Sequence, residues 1–534
     1  MSDSQKKQTF LHGAALLAIA AAIVKIIGAF YKIPLKMAIG NQGYGYFTTA
    51  YDVYSVLLMV STVGLPVAMS RMISQASALG NYNQVRKIYK TSRAIFLALG
   101  IVSTLLMVIF CRQLAEFQRQ PDAWVAMLCL GPCALFVGMT STFRGFFQGQ
   151  GNLKPTSISQ VLEALFKLVI GLSLAFVVMQ VTGMESYAAG AAILGVTVSC
   201  LVSVTFLYSR FRRAYRNMPL SEDAALSTGA TAKALLAIAV PITIGSAGMQ
   251  LLTVLEQRLY MGQLMGALGL SQDTADTMKG IYSMTVTIFN LPTAFIMPIT
   301  ISVLPAITNY LTLHDDGAVR STEESAARVV SLISLPCAVG LFLMAGPVTG
   351  LLGGNTGDDL VLSTRLMSAL AVSVFLYAMV QYTTVVLQAH GKPHLPVINM
   401  LSCGALRLVL VYFLSGNPSI GIVGVPVGGI ICYGAIAVLN LICIRCVVPQ
   451  KPRLIPNLLR SALPALIMGL AVFGCNWLLG KFLGEGASRI ILCGFPIAVG
   501  VVVYGISAVL CKSITAADCK LLPKGDRIAK LLRL

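Results

Sequence analysis

The sequence predicts an all-α polytopic membrane protein. About fourteen transmembrane helices are expected, arranged as two six-helix lobes related by a parallel repeat, with two further helices at the C-terminal end. Three observations predict this. First, 56% of the 534 residues are hydrophobic and only 11% are charged, with a mean hydropathy of +0.80, whereas soluble domains carry about 25% charged residues. Second, apolar stretches of about 20 residues, enough to cross a bilayer as a helix, recur along the whole chain. No long polar region interrupts them, and the strand-like alternation of a barrel is absent. Third, the apolar map repeats. Lys154–Ile170 returns as Lys392–Leu410, Leu65–Met72 as Leu304–Leu311, and Gly43–Tyr51 more loosely as Gly280–Ile288, all at nearly one offset.

The expected spans are 10–31, 44–70, 94–111, 123–143, 157–180 and 187–208 in a first lobe (residues 1–209). A basic, small-residue-rich linker (210–233) follows. The second lobe (234–446) holds 234–262, 280–309, 329–352, 362–387, 395–414 and 420–444. After the Pro-broken Val447–Asn457, spans 458–480 and 488–511 form an addition (447–511) without a counterpart in either half. Residues 512–534 form a basic cytoplasmic tail, in which Ile528, Leu531 and Leu532 share one face of a short interfacial helix. Six is an even number of crossings, so both halves enter from the same side and the repeat is parallel. The second and eighth spans are long and Pro-broken. Pro removes a backbone hydrogen bond and permits bending, which makes Pro66, Pro292, Pro298 and Pro305 candidate gating positions.

Lys and Arg fix the orientation. With the N-terminus inside, and residues within three positions of a span end counted with the adjoining loop, inner segments carry 27 of the 39, outer loops 8 (Lys36 and Lys279 among them) and spans 4. That asymmetry predicts cytoplasmic N- and C-termini in a plasma membrane. It also accounts for the net charge of +19, so no nucleic-acid partner is implied. The first apolar run lacks a small-residue cleavage site and reads as a retained helix. Scattered Cys and only four His assemble no metal site, and Cys443–Cys446 is a lone CxxC. Outer loops are short, and the acidic pairs Asp315–Asp316 and Asp358–Asp359 read as solvated turns. An enzyme is therefore not expected.

Ionisable residues inside apolar spans mark the candidate site. A Lys or Arg at bilayer centre costs about 2.5–3.5 kcal/mol on insertion scales and needs a wet cavity or a partner. Lys25 lies in the middle of the first span and Lys32 falls on the same helical face. The pair lines one wall of a cavity unless Lys25 snorkels to the nearer interface. Glu163 and Lys167 stand at i, i+4 and neutralise each other. Glu256 and Arg258 are two residues apart and face apart, leaving Arg258 for the cavity. Arg407 takes the repeat-related place of Lys167, and Glu185 sits at the outer edge. Asp52 is the remaining buried acid, with Lys25 within pairing range if the first two spans pack closely. Adding Lys32 and Arg71 tips the balance positive, which suits an anionic cargo. A cationic drug would need unpaired acids with aromatic walls. No cofactor is implied, and Na+ or H+ coupling through Asp52 or Glu256 stays open.

The stretches Phe10–Ser74 and Phe143–Glu163 ("FRGFFQGQGNLKPTSISQVLE") resemble the polysaccharide-biosynthesis and stage V sporulation protein B group. That group belongs to the multidrug/oligosaccharidyl-lipid/polysaccharide superfamily, which includes multidrug and toxin extrusion (MATE) exporters and lipid II flippases. The resemblance implies a MATE-like pair of lobes that alternates access to a central cavity. Its implied cargo is a polyprenyl-pyrophosphate-linked glycan of the peptidoglycan or surface-polysaccharide type. Membrane lipids and cell-wall synthesis proteins are the implied partners. A MATE-type drug or cation antiporter is the alternative.

Overall fold

The structure, a computed structural model, describes residues 3–59, 64–219, 223–483 and 488–513. Every regular element among them is helical: α1 (Asp3–Met59), α2 (Leu65–Ala78), α3 (Tyr82–Ile109), α4 (Cys111–Phe117), α5 (Trp124–Gly149), α6 (Lys154–Phe166), α7 (Leu172–Thr182), α8 (Glu185–Arg216), α9 (Thr228–Gly266) and α10 (Gln272–Thr312). These are followed by α11 (Asp316–Leu343), α12 (Ala345–Gly353), α13 (Gly357–Ala389), α14 (His394–Ser415), α15 (Gly424–Val447), α16 (Leu454–Leu459), α17 (Ala462–Leu483) and α18 (Arg489–Leu510). Eleven helices among the described residues are long and apolar enough to cross a membrane. They coincide with the third to seventh and ninth to fourteenth expected spans. The first, second and eighth fall on α1, α2 and α10.

The chain divides into two compact units, one of residues 1–265 and 269–280, the other of 266–268 and 281–534. Helix α9, which the sequence reading gives to the second lobe, packs within the first unit. In that unit α5 lies against α3 and α8. Their shared core is aromatic: Tyr89 stacks on Phe211 at 4.4 Å, and Phe146 meets Phe211 edge-on at 4.9 Å. Leu235 and Ala239 of α9 join this core. The second unit is built on α11, α13 and α15, with Val330, Tyr382 and Ile444 at its centre. Large apolar side chains such as Phe413, Leu470 and Val501 point outward, as in a fold whose solvent is hydrocarbon.

The first two spans differ from expectation in where they break. Helix α1 runs straight through Pro34 and turns at Gly40, whose φ of 75° and ψ of −176° are non-helical. Glycine meets that φ without a Cβ penalty, and a Cβ there would lie 2.3 Å from Glu185 Oε1. The Glu185 carboxylate accepts the Gly43 N–H at 2.5 Å, capping the second arm of α1 as an anion suits a helix N-terminus. Pro66 lies in the first turn of α2 rather than inside a long span. Its missing N–H costs nothing there.

Candidate functional site

A cavity of about 420 Å³ opens inside the first unit. Its wall is assembled from α1, α5, α6, α8 and the π-helical turn 167–171. Among its lining residues are three cations, Lys25, Arg144 and Lys167, and one carboxylate, Glu163. Arg144 reaches Glu163 Oε2 at 2.8 Å. It also donates to the hydroxyls of Ser159 at 3.1 Å and Ser203 at 3.2 Å. A guanidinium is suited to this role because its fork can serve several acceptors at once. Lys167 is held differently, with its ammonium 5.4 Å from the Tyr31 ring centroid and 5.8 Å from that of Tyr51, within cation–π range. Tyr31, Phe47, Tyr51 and Tyr54 form a chain of ring contacts along α1. The Tyr31 hydroxyl is anchored on Ala192 O at 3.3 Å. The Tyr51 hydroxyl, buried beside the cavity, has no hydrogen-bond partner among the described residues. Lys25 is exposed along the cavity wall. Lys32 lies about two turns further along the same face of α1, within Coulombic reach of Lys167 and Asp52.

A second polar cluster ties the start of α10 to α1 and α9. Asp276 is fully buried. It accepts hydrogen bonds from Gln120 and Gln272, both at 2.9 Å, and from Tyr46 at 3.2 Å. Gln120 accepts in turn from Thr49, to which Gln257 donates at 2.7 Å. One turn further, the Lys279 ammonium meets the Asp52 carboxylate at 3.5 Å. Asp276 precedes the eighth span. Burial raises its carboxyl to about 6 even though three donors hold it down. The cluster is packed tightly: a Cβ on Gly280 would sit 1.7 Å from Asn41 O.

The model of the polysaccharide biosynthesis protein family matches residues 10–311, which is more than half of the chain. The chain belongs to that family. Among curated proteins, this family member is 24% identical over 78% of its length to stage V sporulation protein B of Bacillus subtilis, spanning 80% of that protein. It is 23% identical over 92% of its length to lipid II flippase MurJ of the same organism, spanning 94% of it. Among solved structures, it superposes on lipid II flippase MurJ in an inward closed conformation with a TM-score of 0.69. That superposition covers 93% of this chain and 99% of the other at 14% identity, and establishes a shared fold.

The structure distributes the sequence-predicted residues of this family member over several places. Lys25 lines the cavity together with Glu163 and Lys167, which the sequence pattern had set aside as a mutually neutralising pair. The partner of Glu163 is Arg144 rather than Lys167. Arg144 lies on α5 and Glu163 on α6, across the α5–α6 loop, and the packing of the two helices brings them together. No periodicity in the sequence marks this pairing. Asp52 pairs with Lys279 rather than Lys25, and Lys279 is buried rather than free in an outer loop. Lys36, also read as an outer-loop cation, is buried within Coulombic reach of Glu185. Arg258 stays away from the cavity. It donates to Phe117 O at 2.7 Å and stacks over the Phe117 ring at 4.2 Å. Glu256 is buried, within Coulombic reach of Lys279. Arg407 lies 5.8 Å from the Tyr433 ring in the second unit. Pro292 is buried in α10, whereas the side chains of Pro298 and Pro305 and the tail helix at 521–534 lie outside the described ones.

Proposed function

We propose that this protein is a flippase that moves a polyprenyl-pyrophosphate-linked saccharide, such as a peptidoglycan or surface-polysaccharide precursor, across the cytoplasmic membrane. One observation carries the reading: the first-unit cavity holds three cations against a single carboxylate, and that carboxylate is already engaged by Arg144. A pyrophosphate bears about two negative charges and is recognised by Arg forks and Lys point charges. The family match and the likeness to two Bacillus subtilis relatives, one of them a lipid II flippase, support the same class.

In this reading the head group enters the cavity while the prenyl chain stays in lipid. Lys167, steadied by two tyrosine faces, and Lys25 at the wall receive the phosphates. The Tyr51 hydroxyl supplies a hydrogen bond. The two lobes, with both termini cytoplasmic, then alternate access. Pro66, in the first turn of α2, and Pro292, within α10, are the positions where this cycle asks the helices to give. An inside-negative potential favours outward movement of an anion by about 2.3 kcal/mol per charge per 100 mV. Ion coupling at Asp52 or Glu256 acts through the Lys279 pairing. A drug antiporter of the same fold would want the opposite charge balance in this cavity.

The test is flipping of a polyprenyl-pyrophosphate-linked muropeptide in proteoliposomes. Wild type should flip it. Lys167→Met and Lys25→Gln should each slow flipping about tenfold, the loss of one phosphate contact of about 1.4 kcal/mol. Arg258→Gln should stay near wild type. Equal activity in all three variants would remove the cavity from the mechanism. Inactive wild type that exports an organic cation instead would favour the antiporter.

A further inference from the structure

The second unit carries a separate cavity of about 870 Å³ between the end of α15 and α16. Its polar rim is supplied by Arg445, Lys451 and Arg453, and its apolar wall includes Val438, Ile442 and Ile455. All six side chains are exposed. No carboxylate is among the lining residues. Two acids that contact the segment at the rim are engaged by other donors. Glu324 accepts the Arg453 main-chain N–H and the Arg320 guanidinium, both at 3.0 Å. Asp316 accepts from Gln450 at 2.6 Å. Arg453 is therefore tied down by its backbone, and its side chain lines the cavity. Lys451 holds a left-handed φ of 44°. Such a conformation is uncommon for a residue with a Cβ, and here it turns the chain at the rim.

Three cations above an apolar wall, on a helix face that leaves Val438 and Ile442 uncovered, match a molecule with a negative head and a hydrocarbon tail. Small soluble phosphates would use the rim and leave the wall wet. We propose that this cavity is a binding site for an anionic glycerophospholipid, its phosphate on Arg445, Lys451 and Arg453 and its acyl chain along α15. The site is independent of the transport cavity and serves as an anchor for the α15–α16 connection.

Native mass spectrometry of the full-length protein in detergent tests this. The protein is delipidated and offered equal amounts of phosphatidylglycerol and phosphatidylcholine with the same acyl chains. Wild type should retain phosphatidylglycerol about tenfold better, since each Lys or Arg at a membrane surface contributes to anionic-lipid attraction. The triple variant Arg445→Gln, Lys451→Gln, Arg453→Gln should retain one phosphatidylglycerol fewer. Its melting midpoint in phosphatidylcholine should be unchanged, because the substituted side chains are exposed. Arg445→Lys with Arg453→Lys should keep the preference, which separates charge from folding. An unchanged preference in the triple variant overturns the proposal. So does displacement of the lipid by glycerol phosphate, or stronger retention of a polyprenyl pyrophosphate than of phosphatidylglycerol.

Discussion

Arg144 and Glu163 behave as one unit, and the two halves of that unit are not equivalent to mutation. Both side chains are mostly covered, at 18% and 29% exposure. Removing the cation leaves a half-buried carboxylate facing two lysines at longer range. Removing the charge of the acid leaves a guanidinium that still has the hydroxyls of Ser159 and Ser203. Arg144→Ala should therefore destabilise by about 1–3 kcal/mol, between the values for exposed and buried pairs. Glu163→Gln should cost about half as much and leave the cavity more positive. Thermal unfolding of the two variants side by side measures the asymmetry, and equal losses would mean that the serines contribute nothing.

At the scale of elements, the junction of α1, α9 and α10 gives two expectations. The Asp276 carboxyl sits at about 6 against an ordinary 3.8, so the folded unit binds this proton more tightly than the unfolded chain. Stability from this group is fully present below 3.8 and declines as pH rises through about 6, with no further change above. Wild type should melt higher at about pH 5 than at pH 8, and Asp276→Asn should flatten that difference. A slope that persists in the variant would place the titrating group elsewhere. Gly280→Ala tests the close approach. Its methyl would meet Asn41 O, and overpacking of this kind costs about 1–3 kcal/mol. The same junction shows what a linear pattern misses. Hydropathy locates α1 and α10 but says nothing of Gln120, Thr49 and Gln257, which are polar residues far apart in sequence whose meeting depends on three helices packing. The break at Gly40 was equally hidden, because Pro34 offers the louder signal and the helix runs through it.

For the whole molecule, class and membrane crossing were legible because a lipid solvent leaves the chain few options. A backbone without water must satisfy its own hydrogen bonds, so long apolar runs become helices. The eleven spans found among the described residues coincide with expected ones for that reason. Charges inside those runs were legible as a set, since each needs an explanation. Their pairings were not, because a salt bridge between helices leaves no periodic trace. The expected sidedness is open to a direct check. Cys446 is exposed at the end of α15, on the side that the distribution of Lys and Arg assigns to the cytoplasm. A membrane-impermeant maleimide should label it in inside-out vesicles and not in intact spheroplasts. The reverse pattern would invert the topology.

The bond between Arg144 and Glu163 has a bearing on the return stroke of the proposed cycle. A carrier that releases its anion outside must bring its empty cavity back through the electric field. Glu163 acts as a resident counter-ion, so the unloaded cavity moves with one positive charge fewer than its lining cations would give it. Neutralising it should therefore change the voltage dependence of turnover more than the affinity for cargo.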